Sequence, residues 1–90
     1  MLHIVLAATL SVVIRDFSYT PKTLTVRAGD TVHFVNRDSE AHTVTVQGGK
    51  IDSGGLDTGD AWSYRFTRPG KYAYFCSLHP YMRGTVVVRR

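Results

Sequence analysis

The chain has 90 residues, enough for one domain with a real core but few enough that a sandwich of short strands is the natural way to build it. Its single Cys excludes an intrachain disulfide, which leaves the thiol as a buried small hydrophobe, a reactive group or a ligand. The formal charge of +4 comes from 11 Lys and Arg against 7 Asp and Glu, spread along the chain with no basic run, so a nucleic-acid partner is not expected.

Residues 1–10 form a segment apart from the domain expected over 11–90. Ile4 to Ala8 is apolar and small residues follow, which reads either as the remnant of an export signal or as a first edge strand running into Ser11 to Arg15. No segment approaches the length needed to cross a membrane as a helix. Ser11 to Phe17 is rich in β-branched and aromatic residues and predicts a strand, and after Tyr19 to Pro21 the alternation of Leu24 and Val26 with Thr23, Thr25 and Arg27 predicts another. Ala28-Gly29-Asp30 marks a turn. Val32, Phe34 and Asn36 then share one face of a strand, with His33 on the outward face. The run from His42 to Val46 alternates again, placing Val44 and Val46 on the same side as His42. Gly48 to Gly59 reads as a Gly-rich connection, and Trp62, Tyr64 and Phe66 form a period-two set beyond it. Arg68-Pro69-Gly70 turns the chain into Tyr72, Tyr74 and Cys76, which share a face, and Thr85 to Arg89 is a Val-rich closing strand. Helical periodicity is absent. The fold class predicted is all-β, a Greek-key β-sandwich of about seven to eight strands.

The chemistry is concentrated in Cys-Ser-Leu-His-Pro-Tyr-Met, residues 76–82, which sets a thiol, an imidazole and a thioether at even spacing in one loop. Taken singly, Cys76 reads as a structural core Cys, His79 as a surface loop residue and Met82 as a core plug. Taken together with His42, at the start of an alternating stretch, they make the donor set of a blue-copper site: two His, one Cys and a weak axial Met. Zinc is the chemical rival, since Cys and two His serve it too, but a thioether is a poor fourth zinc ligand. His33 and His3 are read as solvent-facing. With 4 His in all, the chain lacks the imidazoles that a multicopper oxidase needs, and it has no paired-carboxylate site, phosphate loop or nucleophile triad, so an enzyme is not expected.

Val26 to Val32, Asn36 to Val44, Arg68 to Tyr72 and Tyr74 to Gly84 resemble the small type-1 copper proteins of the cupredoxin superfamily, nearest the plastocyanin and amicyanin branch. The resemblance covers Ser11 to Arg90, and the spacing around His79 is similar to the short amicyanin ligand loop. It implies a sandwich of about eight strands, one copper ion cycling between Cu(I) and Cu(II), and electron transfer outside the cytoplasm, in the periplasm or an equivalent compartment. Thr43 departs from the pattern, because many relatives carry an Asn there that ties the two ligand loops together. The expected function is a diffusible, monomeric one-electron carrier whose redox donor and acceptor dock near His79, Leu78, Pro80 and Tyr81, with Arg83 and Lys50 favouring an acidic partner. Two other readings stay open: a copper carrier or storage module without electron transfer, and a metal-free structural sandwich.

Overall fold

The computed structural model describes residues 6–90, and among these there is no helix and hence no membrane-spanning one. Eight strands follow in order: β1 (Thr9–Arg15), β2 (Ser18–Thr20), β3 (Thr23–Arg27), β4 (Thr31–Asn36), β5 (Thr45–Val46), β6 (Ala61–Arg65), β7 (Gly70–Phe75) and β8 (Arg83–Arg89). They form two four-stranded sheets, β2-β1-β4-β6 and β3-β8-β7-β5. β1 runs parallel to β4 and β3 parallel to β8, while the remaining pairs are antiparallel. The expected edge strand is thus an inner one that begins at Thr9, flanked by β2 and β4. The readings of residues 1–5, His3 among them, lie outside the described residues.

Period-two alternation builds the core as two half-buried sheets dictate. Val12 and Ile14 of β1, Val32 and Phe34 of β4, and Val86 and Val88 of β8 are all buried, while their neighbours face outward. His33 is on the outer face as predicted, half-buried, with Nδ1 2.9 Å from Ser63 Oγ. The stretch 42–46 does not keep its in-and-out alternation, because every residue in it is buried. The Gly-rich connection folds over it: Val44 accepts from the Ser53 N–H, Val46 donates to the Ile51 carbonyl, and His42 forms a bridge with Leu56. Only Thr45 and Val46 therefore count as strand.

Aromatic rings fill the centre. Tyr74 meets Tyr19 and Phe34 edge-on at centroid distances of 4.7 and 5.4 Å, and its ring lies across its cross-strand partner Gly84. A Cβ at Gly84 would overlap the Tyr74 ring, so this glycine is required by close approach. Gly84→Ala should destabilise the fold by about 1–3 kcal/mol, the usual range for overpacking, measured by denaturant unfolding.

At one end of the sandwich Asp30 is 6% exposed and joins three segments: its carboxylate accepts the Ala8 and Arg27 N–H groups, each at 2.9 Å, and its carbonyl accepts the Phe66 N–H. The Ala8 and Arg27 amides hold its pKa below the ordinary 3.8. A depressed carboxylate stabilises the fold at pH above its unfolded pKa, and that contribution disappears as pH falls through the folded value. Asp30→Asn should accordingly lower the thermal midpoint most near neutrality, with the gap to the parent protein closing below pH 3.8.

Candidate metal centre

The opposite end of the sandwich gathers the four residues singled out in the sequence. Cys76 follows β7 and is fully buried, His42 lies between β4 and β5 and is fully buried, and Met82 precedes β8 at 2% exposure. His79 is half-exposed in the connecting loop. That loop is bound to itself: the His79 N–H donates to the Cys76 carbonyl at 3.2 Å, the Met82 N–H to the His79 carbonyl at 2.9 Å, and the Cys76 N–H to the Met82 carbonyl at 3.2 Å. The short spacing between donors thus closes a compact turn between two strands of one sheet.

His42 Nδ1 stands 3.7 Å from Cys76 Sγ. With metal–sulfur and metal–nitrogen bonds of about 2.3 and 2.0 Å, two ligands of one ion between tetrahedral and trigonal angles stand about 3.5–3.8 Å apart, so this pair has the spacing of joint ligands. The same spacing suits a thiol donating to an imidazole nitrogen. The His79 ring centroid is 5.2 Å from that of His42. Met82 lines a small cavity with Phe17, Tyr19 and Tyr81 beside the loop. No three His, Cys, Asp or Glu side chains among the described residues converge as a preformed cage. The packed pair is His42 and Cys76, with His79 entering from the rim.

Asp38 sets the tautomer of His42. Its Oδ2 lies 2.8 Å from His42 Nε2 and also accepts the Phe17 N–H at 3.0 Å, while Oδ1 accepts the Ser39 N–H. With Nε2–H donated to the carboxylate, Nδ1 presents its lone pair toward the sulfur. The Phe17 amide first, then the His42 and Ser39 donors, hold the Asp38 carboxyl below the usual aspartate range against the opposing effect of burial. Asn36, fully buried, fixes the same loop: its side-chain amide donates to the Glu40 and Leu56 carbonyls, each at 2.8 Å, and its oxygen accepts the Asp38 N–H.

Thr43 makes the loop-to-loop tether that the sequence left in doubt. Its N–H points at Cys76 Sγ at 3.4 Å, and its hydroxyl oxygen accepts the Ser77 N–H at 2.8 Å. Its carbonyl accepts the Tyr19 hydroxyl at 2.6 Å. Burial pushes the Tyr19 phenol well above its ordinary pKa, and nearby Cys76 pushes it further, so this donor stays protonated.

Phe17, which the sequence placed at the end of a strand, belongs to the site. It sits with Asp16 in the two-residue turn between β1 and β2, both at positive φ (55° and 53°), the geometry of a type I′ hairpin. Its ring meets His42 and His79 edge-on at 5.2 and 5.0 Å. Asp-Phe is not the Asn-Gly or Asp-Gly pair that signals this turn, so no local sequence cue marked it. Asp38 did carry a weak one, a carboxylate four residues before a candidate ligand His.

A profile of the cupredoxin-like domain family matches residues 6–88. Amicyanin of Paracoccus denitrificans is 38% identical over 80 residues, covering 83% of this chain and 61% of that protein. Chloroplastic plastocyanin of Chlamydomonas reinhardtii is 32% identical over 84 residues, 79% of this chain and 58% of that one. Among solved structures, a purple cupredoxin from Nitrosopumilus maritimus superposes with a TM-score of 0.81 at 31% identity, over 88% of this chain and 98% of its own. The chain spans about three fifths of the length of these two curated relatives.

Replacing Asp38 by Asn puts an amide donor where two N–H groups now converge and favours the His42 tautomer whose Nδ1 is protonated. Asp38→Asn should weaken Cu(II) binding by about tenfold to hundredfold, measured by competition against a chelator, while circular dichroism keeps the β signature.

Proposed function

This chain belongs to the cupredoxin-like domain family, and from that premise we propose that it is a diffusible one-electron carrier whose copper is held by His42, Cys76, His79 and Met82. Copper is the cofactor, and when bound it supplies one-electron chemistry between Cu(I) and Cu(II), which a mixed thiolate, imidazole and thioether set suits in both states. The chain's own contribution is to fix donors in advance. Asp38 orients His42, the Thr43 amide faces the sulfur, and complete burial of Cys76 and His42 keeps water from both.

The observation that carries the reading is the rim of His79. Four large hydrophobic side chains are exposed among the described residues, and three of them, Phe17 at 37%, Leu78 at 55% and Tyr81 at 70%, surround this ring. A half-exposed imidazole inside an apolar patch, with the remaining donors buried beneath, is a contact point for electrons and a poor exit for a metal ion. Small, transient redox encounters use patches of this kind. A copper-delivering module needs accessible donors, whereas Cys76, His42 and Met82 are at 0, 0 and 2% exposure. Arg83 opens β8 beside the site, within reach of an acidic partner; Lys50 lines a groove with Lys71 and Tyr72, toward the start of β7 and away from the site. The proposal extends to a monomer working outside the cytoplasm, in the periplasm or an equivalent compartment.

Adding Cu(II) should produce an intense thiolate-to-copper band in the visible spectrum, and Cys76→Ser should abolish it without unfolding the protein. Leu78→Glu should leave the band intact and slow electron self-exchange at least about tenfold, because it sets a like charge at the centre of a contact between two copies. A protein that stays colourless with Cu(II) would return the reading to a metal-free sandwich.

A further inference from the structure

We infer that the end of the sandwich opposite the metal centre is a docking surface for an anionic phospholipid membrane. The fold collects there what the sequence scatters: Arg27 ends β3, Arg65 ends β6, Arg68 and Lys71 flank the start of β7, and Arg89 and Arg90 close β8 and the chain. All six are exposed. Arg27 and Arg89 are register partners on neighbouring parallel strands, an arrangement of like charges that weakens a sheet. Among the described residues none of the six makes an ion pair. The one acidic side chain at this end among the described residues, Asp30, already gives both carboxylate oxygens to backbone amides. Near the metal centre the balance is different, with Arg15, Lys22, Arg37 and Arg83 interspersed among Asp16, Asp38, Glu40, Asp57 and Asp60.

Three features favour phospholipid over an acidic protein. Five of the six cations are arginines, whose planar guanidinium forks match phosphate oxygens in pairs. Beside them a cavity of about 460 Å³ is lined by Leu6, Ala8 and Leu10, by Arg27, Arg89 and Arg90, and by Asp30, whose carboxylate oxygens are taken up by the Ala8 and Arg27 amides; the three arginines beside apolar side chains suit a headgroup phosphate with its apolar attachment alongside. Leu6 stands 83% exposed there, placed to enter an interface. An acidic redox partner has no use for this end, because β8 alone spans about 20 Å between Arg83, beside His79, and Arg89. A membrane held here leaves the His79 rim facing away from the lipid. That orientation rests on the carrier reading, but the binding does not depend on copper, so the vesicle result and the spectrum of the copper protein fail or succeed separately.

The test is sedimentation of the full chain with vesicles of phosphatidylcholine alone and of phosphatidylcholine mixed with phosphatidylglycerol. Binding should be confined to the mixed vesicles and decline as salt rises. Each cation at an anionic surface is worth about a fivefold factor, so the combined variant Arg68→Gln, Arg89→Gln, Arg90→Gln should bind roughly a hundredfold more weakly. Arg15→Gln, Lys22→Gln, Arg37→Gln, with the same net charge, should bind much as the parent does, and Leu6→Ser should weaken binding on its own. No binding to mixed vesicles, or equal losses in the two triple variants, would overturn the proposal. Tighter binding to polyglutamate than to the mixed vesicles, lost in the Arg68, Arg89 and Arg90 variant, would overturn it in favour of an acidic protein.

Discussion

Thr43 is the joint between the two loops that carry the proposed metal ligands His42 and Cys76. His42 precedes β5 and Cys76 follows β7, neighbouring strands of one sheet, so the 3.7 Å between their donor atoms is a distance between two separate loops at the end of that strand pair. Thr43 ties the two loops together twice, through its amide to Cys76 Sγ and its hydroxyl to the Ser77 amide, and its carbonyl accepts the Tyr19 hydroxyl from β2 of the facing sheet. Its Oγ1 also lies 2.9 Å from Thr45 Oγ1, whose hydroxyl reaches Asp52 at 3.2 Å, so the tether ends on a carboxylate. Hydrogen-bonded chains of this kind strengthen link by link in a buried setting. An Asn side chain is therefore not needed at this position for the two loops to be tied.

The two halves of the site are stabilised differently. His42 is fixed from behind by Asp38, and Asp38 is fixed by Asn36 and by the amide of Phe17. The Asn36, Asp38 and His42 side chains are buried and hydrogen-bonded, which is the condition under which a buried polar network rigidifies a fold instead of weakening it. His79 has no such backing; its ring contacts are Phe17, His42 and Tyr81. Phe17 holds both rings edge-on from a turn with two residues at positive φ, a conformation that costs free energy unless its surroundings compensate. The bond from the Phe17 amide to Asp38 supplies that compensation, so the same carboxylate orients one imidazole and holds the ring that rests against the other.

The legible parts of the sequence were those whose chemistry is local. Alternation placed Val32, Phe34 and Asn36 inward and His33 outward, and the donor spacing from Cys76 to Met82 marked the loop. The β-sandwich followed from the same period-two signal. The residues missed are those whose role is created by contact across the fold. Phe17 gives no turn signal, and Thr43 read as a departure because its hydroxyl partner, Ser77, lies 34 positions away. The strand expected over 42–46 shrank to two residues because the segment 51–56 covers it, a tertiary effect that no period in either stretch contains.

Charge shows the same limit more sharply. Along the chain the basic residues are dispersed, and the net charge of +4 conveys nothing about where they lie. Strand direction decides it. Because β3 and β8 are parallel, their last residues, Arg27 and Arg89, arrive at the same edge, and the antiparallel reversal between β6 and β7 brings Arg65, Arg68 and Lys71 to that end too. The metal centre occupies the other end, where β4 and β7 finish and β8 begins. Coulomb interaction between exposed charges across that length is largely screened at physiological ionic strength, where the Debye length is about 8 Å. The basic end therefore contributes little to the electrostatics around His42 and Cys76, and the apolar rim of His79 is left to govern contact there. The topology thereby allows one small domain to carry a strongly cationic end and a charge-balanced one without either compromising the other.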